Sequence, residues 1–203
     1  MAIIAAMILF CRVGSATPEI KAGFGYVTTI EVTEPYSGSP LFVDEGIFYD
    51  EISPGISLLW RFNSFSIGPT FRYYHAREFF ADFQETTLSG FAAGAEFIYN
   101  YKMTETGEWL FPMSLACKHR WIQLTYETEH KAYEIDGFGW GMRAMLGVER
   151  VFADRYSVGI LVGRGLLVDK LSDDGISVHP DLMMNGWRFE IFLRTKLSPQ
   201  RSY

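Results

Sequence analysis

The chain has 203 residues, of which 48% are hydrophobic and 16% aromatic, and its formal net charge is −6. It contains no apolar run close to the roughly 20 residues that a membrane-spanning helix needs, which excludes a helical membrane protein. The acidic balance leaves no basic stripe for phosphate contacts and argues against a nucleic-acid partner. The two cysteines, Cys11 and Cys117, are too few for a disulfide framework or a cysteine metal site.

Residues 1–16 have the composition of an export signal. An apolar stretch over residues 2–10 is followed by Gly14 and Ala16, small residues at the positions three and one before a cleavage point. The pattern predicts cleavage after Ala16 and a single domain over residues 17–203. It departs from the usual form because no basic residue precedes the apolar stretch, and a buried first strand or a disordered tail is the alternative.

Apolar and polar residues then alternate with a period of two, which is typical of strands. Bulky apolar side chains share one face, while Gly, Ser, Thr and charged residues share the other. A soluble core would gain nothing from a wall of glycines, whereas a narrow polar lumen inside a lipid-facing barrel would. The predicted strands are residues 19–32, 55–62, 65–75 and 88–101, a fifth from Trp109, and residues 138–152, 156–168 and 187–197. The alternation slips near residues 119–122, which predicts a bulge in the fifth strand.

The connections between these strands alternate between long and short. The short turns fall at Asn63 and Ser64, at residues 104–107 and at residues 153–155, and aromatic residues gather beside them, as at a membrane interface. The pattern predicts an all-β fold, an eight-stranded antiparallel up-and-down transmembrane β-barrel with both termini on one side. Ten strands would result if the first long loop contained a further hairpin. The four long loops are residues 33–54, 76–87, 127–137 and 169–185.

On this register a set of charged side chains faces the lumen. An eight-stranded barrel is only wide enough for side chains to fill it, so these charges must neutralise one another. The ordinary interpretation is a packed ionic core, and the alternative is a narrow ion path that opens when the charges exchange partners. The set is Lys21, Arg61, Arg72, Lys118, Arg143, Arg188 and Arg194 against Glu31, Glu96, Glu149 and Glu190.

Over nearly all of the mature chain this pattern resembles the small bacterial outer-membrane barrels, similar in plan to the OmpA transmembrane domain and to OmpX. The resemblance is architectural and has no specific motif. It departs from the family habit at the end, where the aromatic Tyr203 lies several residues beyond the last strand. The resemblance implies the outer membrane of a Gram-negative bacterium, lipid as a partner and a monomeric state.

The leading functional hypothesis is a non-enzymatic barrel with a structural or surface-interaction role, whose long loops contact an extracellular partner. The alternatives are a lipid A acyl hydrolase or acyltransferase and a narrow small-solute pore. For acyl chemistry the only candidates are His75 and His130, near the presumed outer rim. No histidine is followed two residues later by a serine, the spacing of the outer-membrane deacylases.

The first long loop is acidic and has no Lys or Arg. Its carboxylates, Asp44, Glu45, Asp50 and Glu51, are candidate ligands for a divalent cation, although such a run is more often a solvated face. No phosphate loop or metal-binding His spacing is present, and no cofactor is expected.

Overall fold

The computed structural model describes residues 16–27, 31–33, 50–79, 85–127, 132–152, 155–172 and 181–197. These ranges contain nine strands: β1 (Thr17–Val27), β2 (Glu31–Thr33), β3 (Asp50–Phe62), β4 (Phe65–Phe79), β5 (Glu85–Lys102), β6 (Trp109–Glu127), β7 (Ala132–Phe152), β8 (Tyr156–Ser172) and β9 (Asp181–Lys196). None of the described residues forms a helix long and apolar enough to cross a membrane. The predicted export signal lies outside the described residues except for Ala16.

The sheet closes on itself because β1 pairs antiparallel with β9 as well as with β3. The short strand β2 also pairs with β9, beyond the end of β1, so β1 and β2 share one strand position. The remaining strands pair antiparallel with their neighbours in sequence. The barrel therefore has eight strand positions, which confirms the predicted fold class and makes the ten-stranded alternative wrong.

The two faces of the sheet have the predicted characters. Phe71 is 47% exposed on the outer face, whereas its neighbour Arg72 is 3% exposed and faces the lumen. The same contrast separates Phe97, 39% exposed, from the fully buried Glu96. A sheet that turns its aromatic residues outward and its charges inward is suited to hydrocarbon outside and polar groups inside.

The first and last described residues lie at the end of the barrel that carries the short turns, called the turn end below. Asn63 and Ser64 join β3 to β4, and Asn63 takes a left-handed conformation with φ of 52°. The Leu197 amide donates a hydrogen bond of 2.9 Å to the Pro18 carbonyl, which brings the end of the last strand beside the start of the first. The opposite end, where the long connections lie, is called the loop end.

The strands extend further toward the loop end than the sequence predicted. Strand β7 has 21 residues and β6 has 19, against the roughly 9–11 that a tilted strand needs to cross a bilayer. The predicted loop boundaries are therefore wrong, because strand pairing continues beyond them and alternate residues such as Glu51, Ser53 and Ala76 are still buried in the lumen. Strand residues occupy 33 and 50–54 of the first loop, 76–79 and 85–87 of the second, 127 and 132–137 of the third, and 169–172 and 181–185 of the fourth.

The predicted bulge in the fifth strand is also wrong. Strand β6 pairs with β5 in one unbroken register, from Glu85 opposite Glu127 to Lys102 opposite Leu110. The alternation seemed to slip because His119 lies on the outer face while Ile122 faces the lumen, where it is buried.

Replacing Ile191 with Arg should destabilise the barrel if its outer face contacts hydrocarbon. Ile191 is 59% exposed and lies between Phe24 and Ile160 in the outer apolar surface. A charge near the bilayer midplane costs about 2–4 kcal/mol, and urea unfolding in phospholipid vesicles measures this loss. The control is Glu105→Arg in the exposed β5–β6 turn, for which we expect a change within about 0.5 kcal/mol. Equal stability of the two variants would contradict the lipid-facing assignment.

Candidate functional site

The centre of the lumen holds five charged side chains from five strands, called the central cluster. Lys21 Nζ lies 2.8 Å from Glu96 Oε1 and 2.6 Å from Glu190 Oε1. Arg143 Nη2 lies 2.7 Å from Glu96 Oε1, while Arg143 Nη1 and Arg72 Nη2 both form ion pairs with Glu190 Oε2. Every member is at least nine-tenths buried. Two carboxylates therefore bind three cations across the full width of the barrel.

Hydroxyl groups complete the coordination of Glu96. Ser57 Oγ donates to Glu96 Oε2 at 2.6 Å, and Ser114 Oγ donates to Glu96 Oε1 at 2.9 Å. Arg72 Nη1 donates to the Ser53 carbonyl at 3.1 Å. These bonds matter because a buried carboxylate is tolerated only when its oxygens have donors.

A second set of charges lies at the turn end. Arg61 Nη1 lies 3.3 Å from Glu19 Oε1, and Arg194 Nη1 lies 3.7 Å from Glu19 Oε2. Arg194 also contacts Glu149 at 3.2 Å and the Asn100 side-chain oxygen at 3.3 Å. This turn-end cluster has two carboxylates and two guanidinium groups, so its charges balance.

An apolar layer of Met145, Leu161 and Phe192 lies between the two clusters. Phe192 stands on β9 midway between Glu190 and Arg194. Lys21 Nζ is 5.1 Å from the centre of its ring. The ring thus contacts a cation of the central cluster while the layer as a whole separates the two charged sets.

A third set, the loop-end cluster, surrounds Tyr74 and Glu51. Arg188 Nη1 lies 3.2 Å from Glu51 Oε1, and Arg120 Nη2 lies 3.8 Å from Glu51 Oε2. The Arg120 guanidinium stacks 4.4 Å from the centre of the Tyr74 ring, and Lys118 Nζ donates to the Tyr74 hydroxyl at 3.3 Å. All five side chains are at least nine-tenths buried.

Glycines in the lumen wall make room for these long side chains. A Cβ on Gly23 would lie 2.7 Å from Glu190 Oε1. A Cβ on Gly55 would overlap the Arg72 side chain, and one on Gly165 would overlap the Arg188 guanidinium. The glycines that share a face with the charges therefore provide the space in which those charges meet.

The structure places most of the sequence-predicted lumen set inside the barrel, and it adds three members. Glu19, Glu51 and Arg120 also face the lumen and are fully buried. The Glu31 side chain lies outside the described residues. Lumen-facing members of the predicted set are Lys21, Arg61, Arg72, Lys118, Arg143, Arg188 and Arg194 with Glu96, Glu149 and Glu190.

The assignment of Glu51 to an exposed acidic loop is wrong. Glu51 lies in β3 and its carboxylate pairs with arginines inside the lumen. Asp50 also lies in β3, while Asp44, Glu45 and His130 fall outside the described residues. Within the described part of the chain, no three His, Cys, Asp or Glu side chains are grouped so as to hold a metal ion.

His75 lies on the outer face of β4, close to the loop end. Its ring stacks on that of Tyr73, with centroids 6.5 Å apart. Ser89 on β5 is directly opposite His75 in the strand register, a neighbour that spacing along the chain does not reveal. Among the described residues, no hydrogen bond joins His75 to a serine or a carboxylate.

Comparison with known proteins finds similarity in structure alone. No family model and no curated protein sequence matches the chain. Neisserial surface protein A, from Neisseria, superposes with a TM-score of 0.57 at 11% identity, covering 91% of this chain and 100% of that one. Outer membrane protein OprG from Pseudomonas aeruginosa gives 0.53 at 9% identity, with 91% and 97% coverage. A major outer membrane protein from Thermus thermophilus gives 0.52 at 7% identity, with 91% and 100% coverage. The chain has the fold of the small bacterial outer-membrane barrels.

Replacing Glu96 with Gln should destabilise the barrel strongly. The change leaves Lys21 and Arg143 with one carboxylate fewer, and removing one partner of a buried ion pair typically costs about 3–5 kcal/mol. Urea unfolding in vesicles measures the loss.

Two further variants make that measurement specific. Glu105→Gln in the exposed turn is the matched control and should change little. Adding Lys21→Met to Glu96→Gln removes one of the stranded cations and should recover part of the stability, because the two sites are directly coupled. If the stability losses of Glu96→Gln and Lys21→Met simply add in the double variant, the Lys21–Glu96 ion pair does not stabilise the lumen.

Proposed function

We propose that this protein is an outer-membrane barrel with a closed lumen and a structural or surface-contact role, acting as a monomer without an enzymatic reaction of its own. The observation that carries the proposal is the central cluster, in which Glu96 and Glu190 bind three cations across the barrel. An outer face suited to hydrocarbon and the fold of known outer-membrane barrels support the location.

Closure follows from the width of the barrel and from what fills it. Eight strands enclose a space that side chains are able to fill. An ion crossing the lumen would have to separate Lys21, Arg72 and Arg143 from their shared carboxylates and then pass the apolar layer. Each step exposes an unpaired buried charge or places the ion against hydrocarbon, and both are costly.

The loop end supports a role in surface contact. Strands β6 and β7 continue well past the length that the bilayer requires, so the sheet forms a wall that rises above the membrane. The segments joined to this wall are where an extracellular partner would bind. These segments, residues 34–49, 80–84, 128–131 and 173–180, fall within the four predicted long loops and lie outside the described residues.

Planar-bilayer recording tests whether the lumen is closed. We expect no conductance steps from refolded wild-type protein, because the central cluster and the apolar layer fill the cross-section. Heat-modifiable gel mobility of the same preparation shows that the barrel is folded. Reproducible steps that Leu161→Trp abolishes would establish a lumenal path and overturn the proposal, since Leu161 belongs to the apolar layer.

A lipid-acting acyl hydrolase or acyltransferase is the second candidate, and one observation favours it. Ser89 lies directly across from His75 on the outer face, so a hydroxyl and an imidazole are cross-strand neighbours about 5 Å apart at their Cβ atoms. A nucleophile and a base are the minimum requirement for acyl transfer. The nearest outward carboxylate in the same cross-strand row is Asp136, two strands beyond Ser89.

Expression of wild type and of His75→Ala and Ser89→Ala variants tests this candidate by mass spectrometry of lipid A. An enzyme would change the acyl pattern, and both variants would restore the pattern of cells without the protein. Gln123→Ala, on the other side of Ser89 in the register, is the matched control and should act as wild type. An acyl pattern identical with and without the wild-type protein would dismiss the enzyme.

A further inference from the structure

Arg164 is an exposed cation on the apolar outer face of the barrel. Its neighbours on that face are apolar: Val162 and Leu166 on the same strand, and Ala144 and Trp187 directly across on β7 and β9. The described residues provide no carboxylate partner for it. A cation that faces hydrocarbon without a counter-charge is unfavourable, so its position needs an explanation.

The position of Arg164 along β8 places it in the leaflet nearest the loop end. Tyr156 begins β8 beside a short turn, and Arg164 follows eight residues later. Eight residues of a strand tilted by about 40° rise about 20 Å along the barrel axis. The apolar band of such barrels is about 25 Å tall, so the Arg164 backbone lies about 5 Å below its upper edge. An arginine side chain is long enough to hold its guanidinium at the level of the lipid headgroups.

Trp187 adds a second donor beside this guanidinium. The central carbon of the Arg164 guanidinium lies 5.4 Å from the centre of the Trp187 ring, and Trp187 is 51% exposed. A guanidinium has five N–H donors, an indole has one, and neither group has an acceptor. The pair is therefore a surface of donors only, at the depth where lipid phosphates lie.

We propose that Arg164 and Trp187 bind a headgroup phosphate of a lipid A-type glycolipid in the outer leaflet. The phosphate supplies the missing counter-charge and accepts hydrogen bonds from the guanidinium and from the indole N–H. The acyl chains of the same lipid lie against the apolar face around Val162 and Leu166. The inference rests on the outward orientation of the loop end in the proposed function, because long loops face the exterior.

A second arginine on the outer face provides a matched comparison. Arg150 is exposed on β7 near the turn end, and it also lies 5.4 Å from the ring of the tryptophan opposite it, Trp109. Its surroundings differ, because the Val151 amide donates a hydrogen bond of 2.8 Å to the Glu108 carbonyl. An acidic residue thus stands beside Arg150, and this disfavours an anionic lipid there.

Native mass spectrometry of the refolded barrel tests the proposal. The protein in octyl glucoside micelles, which contain no phosphate, is titrated with diphosphoryl lipid A and separately with lipid A from which both phosphates have been removed. We expect wild type to retain one diphosphoryl lipid A in a saturable way, and to bind the phosphate-free form roughly tenfold more weakly. Micelles have no leaflets, so the assay tests the lipid site independently of the direction in which the loop end faces.

Variants assign the binding to the pair. In Arg164→Gln the lipid A concentration that gives half-saturation should rise roughly tenfold, because a charge-assisted contact is lost. Trp187→Phe keeps a ring and removes the N–H, so the rise should be about threefold. Arg150→Gln should bind as wild type does. Heat-modifiable gel mobility shows that each variant is folded, and Arg164→Gln should fold well because it removes a charge from the lipid-facing surface.

Three results would overturn the proposal. The first is equal binding of diphosphoryl lipid A by wild type and Arg164→Gln. The second is a loss in Arg150→Gln as large as that in Arg164→Gln, as expected if any outward cation attracts anionic lipid. The third is phosphatidylglycerol binding to wild type as tightly as lipid A, which would assign the site to phospholipid instead of glycolipid.

Discussion

Two carboxylates make this lumen possible. Glu96 and Glu190 come from β5 and β9, and they hold Lys21, Arg72 and Arg143 from β1, β4 and β7. Without them three cations would stand unpaired in a space that side chains fill almost completely. Paired charged side chains fill the interior of this barrel, as apolar side chains fill the core of a soluble protein. The apolar residues therefore face lipid. The glycines of the barrel wall are part of this arrangement, since they leave space for the long charged side chains.

The interior is organised in layers along the barrel axis. Balanced charges at the turn end are followed by Met145, Leu161 and Phe192, then by the central cluster, and finally by a cation-rich region around Tyr74. In the proposed closed lumen, the apolar layer excludes ions and the central cluster binds them.

The sequence was sufficient for the fold class and for most inward charges, because strict alternation separates Arg72 and Glu96 from Phe71 and Phe97 without any knowledge of pairing. Sequence reasoning missed three inward charges. Glu51 lies in an acidic stretch that is typical of a loop, and Arg120 lies beside an outward histidine. Glu19, the first residue of the first predicted strand, shares a face with Lys21 but was left out of the lumen set.

Contacts across the barrel were beyond the reach of the sequence for a different reason. Lys21 and Glu96 are 75 residues apart, and their meeting depends on the stagger of every intervening strand. The position of Ser89 opposite His75 depends on register in the same way.

The pairing between the first and last strands affects how the chain folds. The hydrogen bond from Leu197 to Pro18 and the pairing of β1 with β9 join segments from opposite ends of the polypeptide. Until the final strand arrives, the growing sheet keeps two open edges that invite association with other chains. Such non-local pairing is slow to form, because the chain must lose the conformational entropy of the whole ring before the last contacts form. Assembly of this molecule is therefore completed in its last step, and a chain that lacks β9 is expected to remain an open sheet prone to aggregation.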